Sequence, residues 1–444
     1  MSENTFSEAN SLALLDFPWA VMHLDCDAFF TSVEQALNPQ YQGKPMVTGK
    51  ERGIVACASY EAKRLGVKRP MILRDAMKIC PGLIALPSDY ETYSLYSKRV
   101  FAIIRKYTPD VEEYSIDEAF ADLSGLRRLY RSDYAGIARR IKEEVQSSLG
   151  LTVTVGLSLS KSLAKIASKH EKPNGFTVVP GREIETFLKG MPLERVCGFG
   201  PNTTALLKKR GVRDVLDYIH KPEAWAKQVL GKIGLELWHE LRGQRIYPIQ
   251  TEEKHDYDTI SKTKTFTPAS SDRNFVWAQL VRNMESAFIK LRRHKLRTKR
   301  ICVVLRSQDF RSEGVEAELV NPTPSTMAVT AVARALFDKV FDPKLSYRTT
   351  SIILSDIEAD VDMQYTLFED TAEIQKMKAL DRVIDEVNEK YGKHCQHLGT
   401  SLWLQKHAQH VNDRGDVPAR KKDLLKGETK RQHLSIPVWK IDLN

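Results

Sequence analysis

Two short acidic stretches stand out for the chemistry their side chains could do together. His23-Leu24-Asp25-Cys26-Asp27-Ala28-Phe29-Phe30 sets Asp25 and Asp27 two residues apart, on one face if the stretch is a strand. Val111 to Leu123, VEEYSIDEAFADL, places Asp117 next to Glu118 among strand-forming residues. Successive strand residues face opposite ways, but a tight turn between two strands can aim both carboxylates into one cleft. Tyr114 and Ile116 would then belong to the strand that holds them. Carboxylates among apolar residues are costly to bury without a compensating charge. A divalent metal supplies one: Mg²⁺ takes oxygen ligands and keeps waters for a phosphate substrate. The two stretches together would furnish a two-metal site for in-line phosphoryl transfer. Alone, Asp117-Glu118 reads as a solvated turn; Asp25 far upstream is what changes its meaning.

The pattern around these stretches predicts the elements that position them. Trp19 to Leu24 reads as a buried strand delivering Asp25, and Phe29 to Leu37 as a helix ended by Asn38-Pro39. Pro45 to Thr48 and Gly53 to Ser59 read as short strands; Tyr60 to Leu65, Leu73 to Ile79 and Tyr90 to Tyr107 read as helices. In Tyr134 to Leu149, Ile137, Ile141 and Val145 recur at helical spacing. A strand, Leu151 to Leu157, and a helix, Lys161 to His170, follow. Strands alternating with helices predict an α/β (α+β) fold with a sheet of mixed direction.

A chain of 444 residues exceeds one ordinary core and predicts roughly three domains. Lys and Arg number 67 against 57 Asp and Glu, a net charge of +10 that points to a polyanionic partner. The first cation is Lys44, so no secretory leader is expected. No run approaches the ~18 apolar residues of a membrane span. Six cysteines without a C-x-x-C pair predict free thiols in a reducing cytoplasm and exclude a disulfide framework or structural zinc.

Arg182 to Gly243 reads as short helices and turns. Val196 to Asn202, VCGFGPN, followed by Thr203 to Arg210 has the form of a helix–hairpin–helix. Gly198 and Gly200 would let backbone N–H groups reach a DNA phosphate, although an ordinary helix turn has the same form. Ile249 to Asp258 reads as a polar linker. Beyond it the order is strand, helix, strand, strand, helix, strand: a βαββαβ sheet with two helices on one face. From Asp258 to Ile357 there are 17 basic and 10 acidic residues. The dense run Lys290, Arg292, Arg293, Lys295, Arg297, Lys299, Arg300 ends a helix and enters a strand, where it would meet DNA phosphates. Ile374, Met377, Leu380, Val383, Ile384 and Val387 predict one amphipathic helix. Residues after Gln405 are polar and basic.

HLDCDAFF (23–30), YSIDEAF (114–120) and KSLAKIASKHEKPNG (161–175), in this order, resemble the Y-family DNA polymerases. The DNA polymerase IV (DinB) branch is the nearer match, with a UmuC-like C-terminal extension. The resemblance spans about Phe17 to Phe368. It implies a right-hand polymerase: a disordered N-terminus over 1–17, a palm over 18–28 and 91–179, fingers over 29–90, a helical thumb over 180–246, a linker over 247–258, a little finger over 259–357 and a C-terminal extension over 358–444. It implies two Mg²⁺ ions held by the catalytic carboxylates Asp25, Asp117 and Glu118 and the backbone carbonyl of Cys26, both turn carboxylates staying ionised. Asp27 belongs to the motif as a ligand or as a supporting residue. Phe30 matches a steric gate against the ribose 2′-OH, with Phe29 beside it in the pocket or the core. Tyr60, Lys63 and Lys172 match positions that grip the incoming dNTP. Where the family carries Arg, this chain has Lys63, so Lys63 or Arg64 takes that contact. Cys57 stands where many relatives have Thr, which weakens a hydroxyl contact there. Lys161 and Lys165, four apart on one helical face, would touch DNA or solvent.

Gly198, Gly200, Arg292, Arg293, Lys299 and Arg300 become candidate contacts to primer–template DNA. Gln364-Tyr365-Thr366-Leu367-Phe368 is similar to peptides that bind the bacterial sliding clamp (the beta subunit), with Gln364, Leu367 and Phe368 as anchors. The implied function is low-fidelity translesion DNA synthesis from a primer 3′-OH, without proofreading, by a monomer in the cytoplasm. The alternatives are a UmuC-like subunit that needs partners, another two-metal enzyme on a related palm such as a nucleotidyl cyclase, and a non-catalytic, clamp-tethered DNA-binding factor.

Overall fold

A computed structural model describes residues 16–252, 257–361, 371–391 and 396–406. They fall into two compact units, one ending at Glu253 and the other running from Lys254 to Arg420.

The first unit contains eight described strands: β1 (Val21–Cys26), β2 (Met46–Thr48), β3 (Cys57–Ala58), β4 (Ile84–Leu86), β5 (Val111–Glu113), β6 (Glu118–Asp122), β7 (Val153–Ser158) and β8 (Phe176–Val178). Five form a sheet in the order β5-β6-β1-β7-β8, antiparallel except for the parallel pair β7–β8. The expected mixed sheet is therefore present. Its central strand β1 is wholly buried and splits its side chains between two faces. Met22, Leu24 and Cys26 join the core beneath helices Tyr90–Arg105 and Tyr134–Leu149. Val21 packs on the other side with Phe120 and Ala164 of helix Lys161–Ser168.

That last helix lies very close to β7. A Cβ added at Gly156 would sit 2.2 Å from the Ala164 carbonyl oxygen and 2.3 Å from the Ser168 nitrogen. Only glycine allows this approach. Helix Tyr134–Leu149 starts where Asp133 accepts the Gly136 N–H at 2.7 Å and stops at Gly150, left-handed at φ 66°.

A small sheet, β3-β2-β4, surrounds its own core of Val47, Val55, Ala62, Val67 and Ala76. Helices Ile184–Leu188, Pro201–Lys209, Val215–Ile219 and Glu223–Leu241 share another, around Leu188, Leu207, Tyr218 and Trp238. Strands β4 and β8 were not expected; three residues are too few to show a period. The stretch expected as linker begins later than predicted. Arg245 pairs with Asp122 at 2.6 Å, Ile249 packs with Val21, Phe120 and Ala164, and the Gln250 N–H reaches Glu112 at 2.8 Å.

The second unit has the expected βαββαβ order: β9 (Thr259–Ser270), helix Arg273–Arg293, β10 (Leu296–Ser307), β11 (Ser312–Thr323), helix Thr326–Val340 and β12 (Tyr347–Ala359). The sheet runs β11-β10-β12-β9, all antiparallel. Ile301, Val303, Leu305, Ile352 and Leu354 pack against both helices. The predicted amphipathic helix is Thr371–Tyr391, and Ile374, Met377, Ile384 and Val387 of its apolar stripe are partly buried. Asp381 and Asn388 are buried, while Leu380 and Val383 are 43% and 50% exposed. Arg292 sets this orientation: it holds Asp385 through two hydrogen bonds of 2.6 and 2.7 Å, with Asp381 at 3.5 Å.

Candidate active site

In the β1–β6 register Asp25 lies opposite Glu118. Tyr114 and Ile116, expected in a strand, instead belong to the turn between β5 and β6. Two N–H groups, those of Tyr114 and Ser115, close that turn on the Glu118 carbonyl oxygen, each at 3.1 Å. The Cys26 N–H donates to the Asp117 carbonyl oxygen at 2.8 Å, tying the turn to the end of β1. Ser115, to which no role was assigned from sequence, donates its hydroxyl to Asp117 Oδ1 at 2.7 Å. Three carboxylates thus meet at one end of the sheet.

Two lysines face them. Lys172 Nζ contacts Asp25 Oδ1, and Lys165 Nζ donates to Glu118 Oε2 at 2.8 Å. Burial raises the Asp25 carboxyl to about 7, with Lys172 opposing and Glu118 adding to the rise. Burial pushes Glu118 the same way, but the Lys165 hydrogen bond and charge outweigh it and hold Glu118 down at about 2. The Asp25 shift stands despite its lysine because that carboxylate is 5% exposed and shares its space with a second one. His23, opposite Gly156 on β1, is fully buried; Ser168 Oγ lies 2.7 Å from its Nδ1, and burial drives its pKa well below 6.5.

Asp27 does something different. It is fully buried and accepts the Thr154 hydroxyl at 2.9 and 3.0 Å, the Asn174 N–H at 2.8 Å and the Tyr60 hydroxyl at 3.4 Å. Its lone pairs are engaged by the loop after Lys172 and by Tyr60, so it supports the site.

The donor chemistry suits a hard cation, because the three carboxylates are all oxygen ligands. Ammonium groups already balance two of them, a sign that positive charge is required there. Among the described residues no three His, Cys, Asp or Glu side chains stand ready around a metal as they lie. Lys172, Lys165 and Ser115 occupy the oxygens that would turn to one.

Beside the carboxylates, the Phe30 ring stacks on Tyr93 with centroids 4.5 Å apart and planes 13° apart, and Tyr90 meets its edge at 5.5 Å. Phe29 is core, 3% exposed, which removes it as a nucleotide contact. Lys63 Nζ lies 4.1 Å from the Tyr60 ring centroid, and Arg64 is exposed. Lys161 and Lys165 are not a solvated face: Lys161 binds both oxygens of Glu112 at 2.7 Å. Helical spacing paired the two lysines correctly; only the sheet register reveals their carboxylates.

The candidate DNA contacts are more scattered. Gly198 is left-handed at φ 104°, while Gly200 at φ −74° does not depend on being glycine. Arg293 is exposed. Lys299 pairs with Glu318 at 2.8 Å, and Arg300 pairs with Asp356 at 2.9 Å and Glu316 at 3.0 Å. Arg292 is removed from the set, because its side chain is 13% exposed and its guanidinium is committed to Asp385 and Asp381. Gln364, Leu367 and Phe368 lie outside the described residues.

Residues 24–169 match the impB/mucB/samB family, and residues 258–367 match the C-terminal domain of the same family. A DNA polymerase IV from Treponema denticola is 32% identical over 377 residues, covering 84% of this chain and 94% of that protein. A DNA polymerase IV from Brucella melitensis is 31% identical over 389 residues, covering 86% and 85%. Among solved structures, a Y-family DNA polymerase chimera of Dbh and Dpo4 shares 28% identity at a TM-score of 0.66, covering 77% of this chain and 99% of that one. An insertion ternary complex of Dbh DNA polymerase, also 28% identical with the same coverage, has a TM-score of 0.52.

Proposed function

The chain belongs to the impB/mucB/samB family, within the Y-family of DNA polymerases, and from that premise we propose how its own residues carry out DNA synthesis. It is a DNA-directed DNA polymerase of translesion synthesis, with primer–template DNA and dNTPs as substrates. Relatives named DNA polymerase IV favour this over a non-catalytic DNA-binding factor or a partner-dependent subunit.

Asp25, Asp117 and Glu118, with the Cys26 carbonyl, would hold two Mg²⁺ ions. Bound there, Mg²⁺ would neutralise charge on the triphosphate and lower the pKa of the primer 3′-OH. Lys172 and Tyr60 grip the triphosphate, and Lys63 or Arg64 adds a second cation. Asp27 positions this grip by binding Tyr60 and the loop after Lys172. Phe30, backed by Tyr93 and Tyr90, excludes the 2′-OH. The palm, fingers and thumb correspond to the five-stranded sheet, the β3-β2-β4 region and the helices after Ile184; the second unit is the little finger. Gly198, Gly200, Arg293, Lys299 and Arg300 contact the DNA backbone, and Gln364 to Phe368 binds a sliding clamp. The enzyme acts as a cytoplasmic monomer without proofreading. Among the described residues no helix is long and apolar enough to cross a membrane.

The observation that carries the site is the opposition of Asp25 and Glu118 across β1 and β6, with Asp117 tied to Cys26. Its test is primer extension with Mg²⁺ and dNTPs. Asp117→Ala and Glu118→Ala should abolish extension and spare DNA binding; undiminished extension sinks the assignment.

A further inference from the structure

The run around β10 reads as basic in sequence, but the sheet places carboxylates against it. On the face turned away from the helices, β9 and β12 present mainly hydroxyls, including Thr263 and Ser351, whose oxygens lie 2.7 Å apart. The corner formed by β10, β11 and the end of β12 is charged. Arg300 lies opposite Glu318 in the β10–β11 register and Arg297 opposite Glu358 in the β10–β12 register. Four contacts follow: Arg297 to Glu358 at 2.7 Å, Lys299 to Glu318 at 2.8 Å, Arg300 to Glu316 at 3.0 Å and Arg300 to Asp356 at 2.9 Å. Three cations thus face four carboxylates, all four about half exposed.

We propose that Glu316, Glu318 and Asp356 form a carboxylate screen that weakens this unit's hold on duplex DNA by competing with phosphates for Lys299 and Arg300. The inference rests on the assignment of those two cations as DNA contacts. Solvent-exposed ion pairs are individually weak, so a phosphate displaces a carboxylate at small cost. The displaced carboxylate cannot leave, however, because its strand fixes it beside the incoming phosphate. Like charges held together oppose binding. Fewer counterions are also released, because these cations already have carboxylate partners, so affinity depends less on salt than the count of lysines and arginines implies. Cross-strand pairing that only steadies the sheet would be the structural alternative.

The full chain carrying Glu316→Gln and Glu318→Gln is compared with wild type by fluorescence anisotropy on a labelled primer–template duplex across a salt series. The screen predicts a Kd lowered by about fivefold and a steeper salt dependence. An unchanged or raised Kd at an unchanged Tm overturns it. Should that double variant melt early, Asp356→Asn is read the same way. Arg300→Ala separates the two levels. If it weakens binding while the glutamine variant binds no tighter, the screen alone fails. If neither changes Kd, the assignment of this corner to DNA fails with it.

Discussion

Lys165 reaches across from helix Lys161–Ser168 to Glu118 on β6, 2.8 Å away, with side chains only 8% and 15% exposed. A largely buried carboxylate left without its cation is costly. Lys165→Met should therefore lower the unfolding free energy by about 2 kcal/mol in urea denaturation. It should also cut primer extension at least about tenfold through misplacement of Glu118, roughly 1.4 kcal/mol of barrier. Lys165→Arg, which keeps the charge, should recover most of the stability. A stable, fully active Lys165→Met would contradict the pairing.

Asp27 joins Tyr60 to the loop after Lys172, the two parts of the proposed nucleotide grip. Asn in its place keeps the shape but loses charge and one acceptor. Asp27→Asn should raise the KM for dNTP several-fold and leave the Kd for DNA as it was, because Tyr60 and the Asn174 loop lose their common anchor. Steady-state kinetics with varied dNTP distinguish this from metal-ligand loss, which would lower kcat.

Phe30 is held by stacking on Tyr93, so the orientation of its ring is fixed. Phe30→Ala should admit ribonucleotides, shifting dNTP over rNTP selectivity by about 100-fold or more. Tyr93→Ala should shift it less, since the ring remains but loses its backing. Sugar selectivity that stays constant in single-nucleotide incorporation refutes the gate.

Asp381 should make the docking of helix Thr371–Tyr391 sensitive to pH. Burial raises its carboxyl above the usual range, Arg292 opposing and Asp385 reinforcing; Glu285 and His397 line the same cavity. In the unfolded segment this group loses its proton near the ordinary carboxylate value of about 4. Between that pH and its raised native value the docked form binds more protons, so docking weakens as pH rises through the window. Amide exchange in residues 371–391, corrected for intrinsic rates, should show more protection at pH 5 than at pH 8. Asp381→Asn should flatten that difference.

Much of this was legible in the chain itself. The βαββαβ unit emerged whole, because long strands and helices leave several periods each. Asp25, Asp117 and Glu118 were singled out because carboxylates among apolar residues are chemically conspicuous, and the β1–β6 register sets Asp25 opposite Glu118. Asp27 could not be resolved that way: Thr154 is brought near by the β1–β7 register and Asn174 by the loop that leads into β8. The same limit hid the partner of Lys165 and the carboxylates that face the β10 run. A charge seen along one strand says nothing of its neighbours on the next. Arg292 shows the helical version, an apparent DNA contact that instead clasps a later helix.

Gly156 extends the demands of the site to mutational tolerance. It makes no contact with any reacting group, yet the helix bearing Lys165 rests on its missing side chain. A methyl group there would lift that helix and draw the ammonium away from Glu118. In a saturation scan read out by DNA synthesis, position 156 should therefore look as intolerant as the carboxylates, an imprint of catalysis on a residue whose contribution is absence of volume.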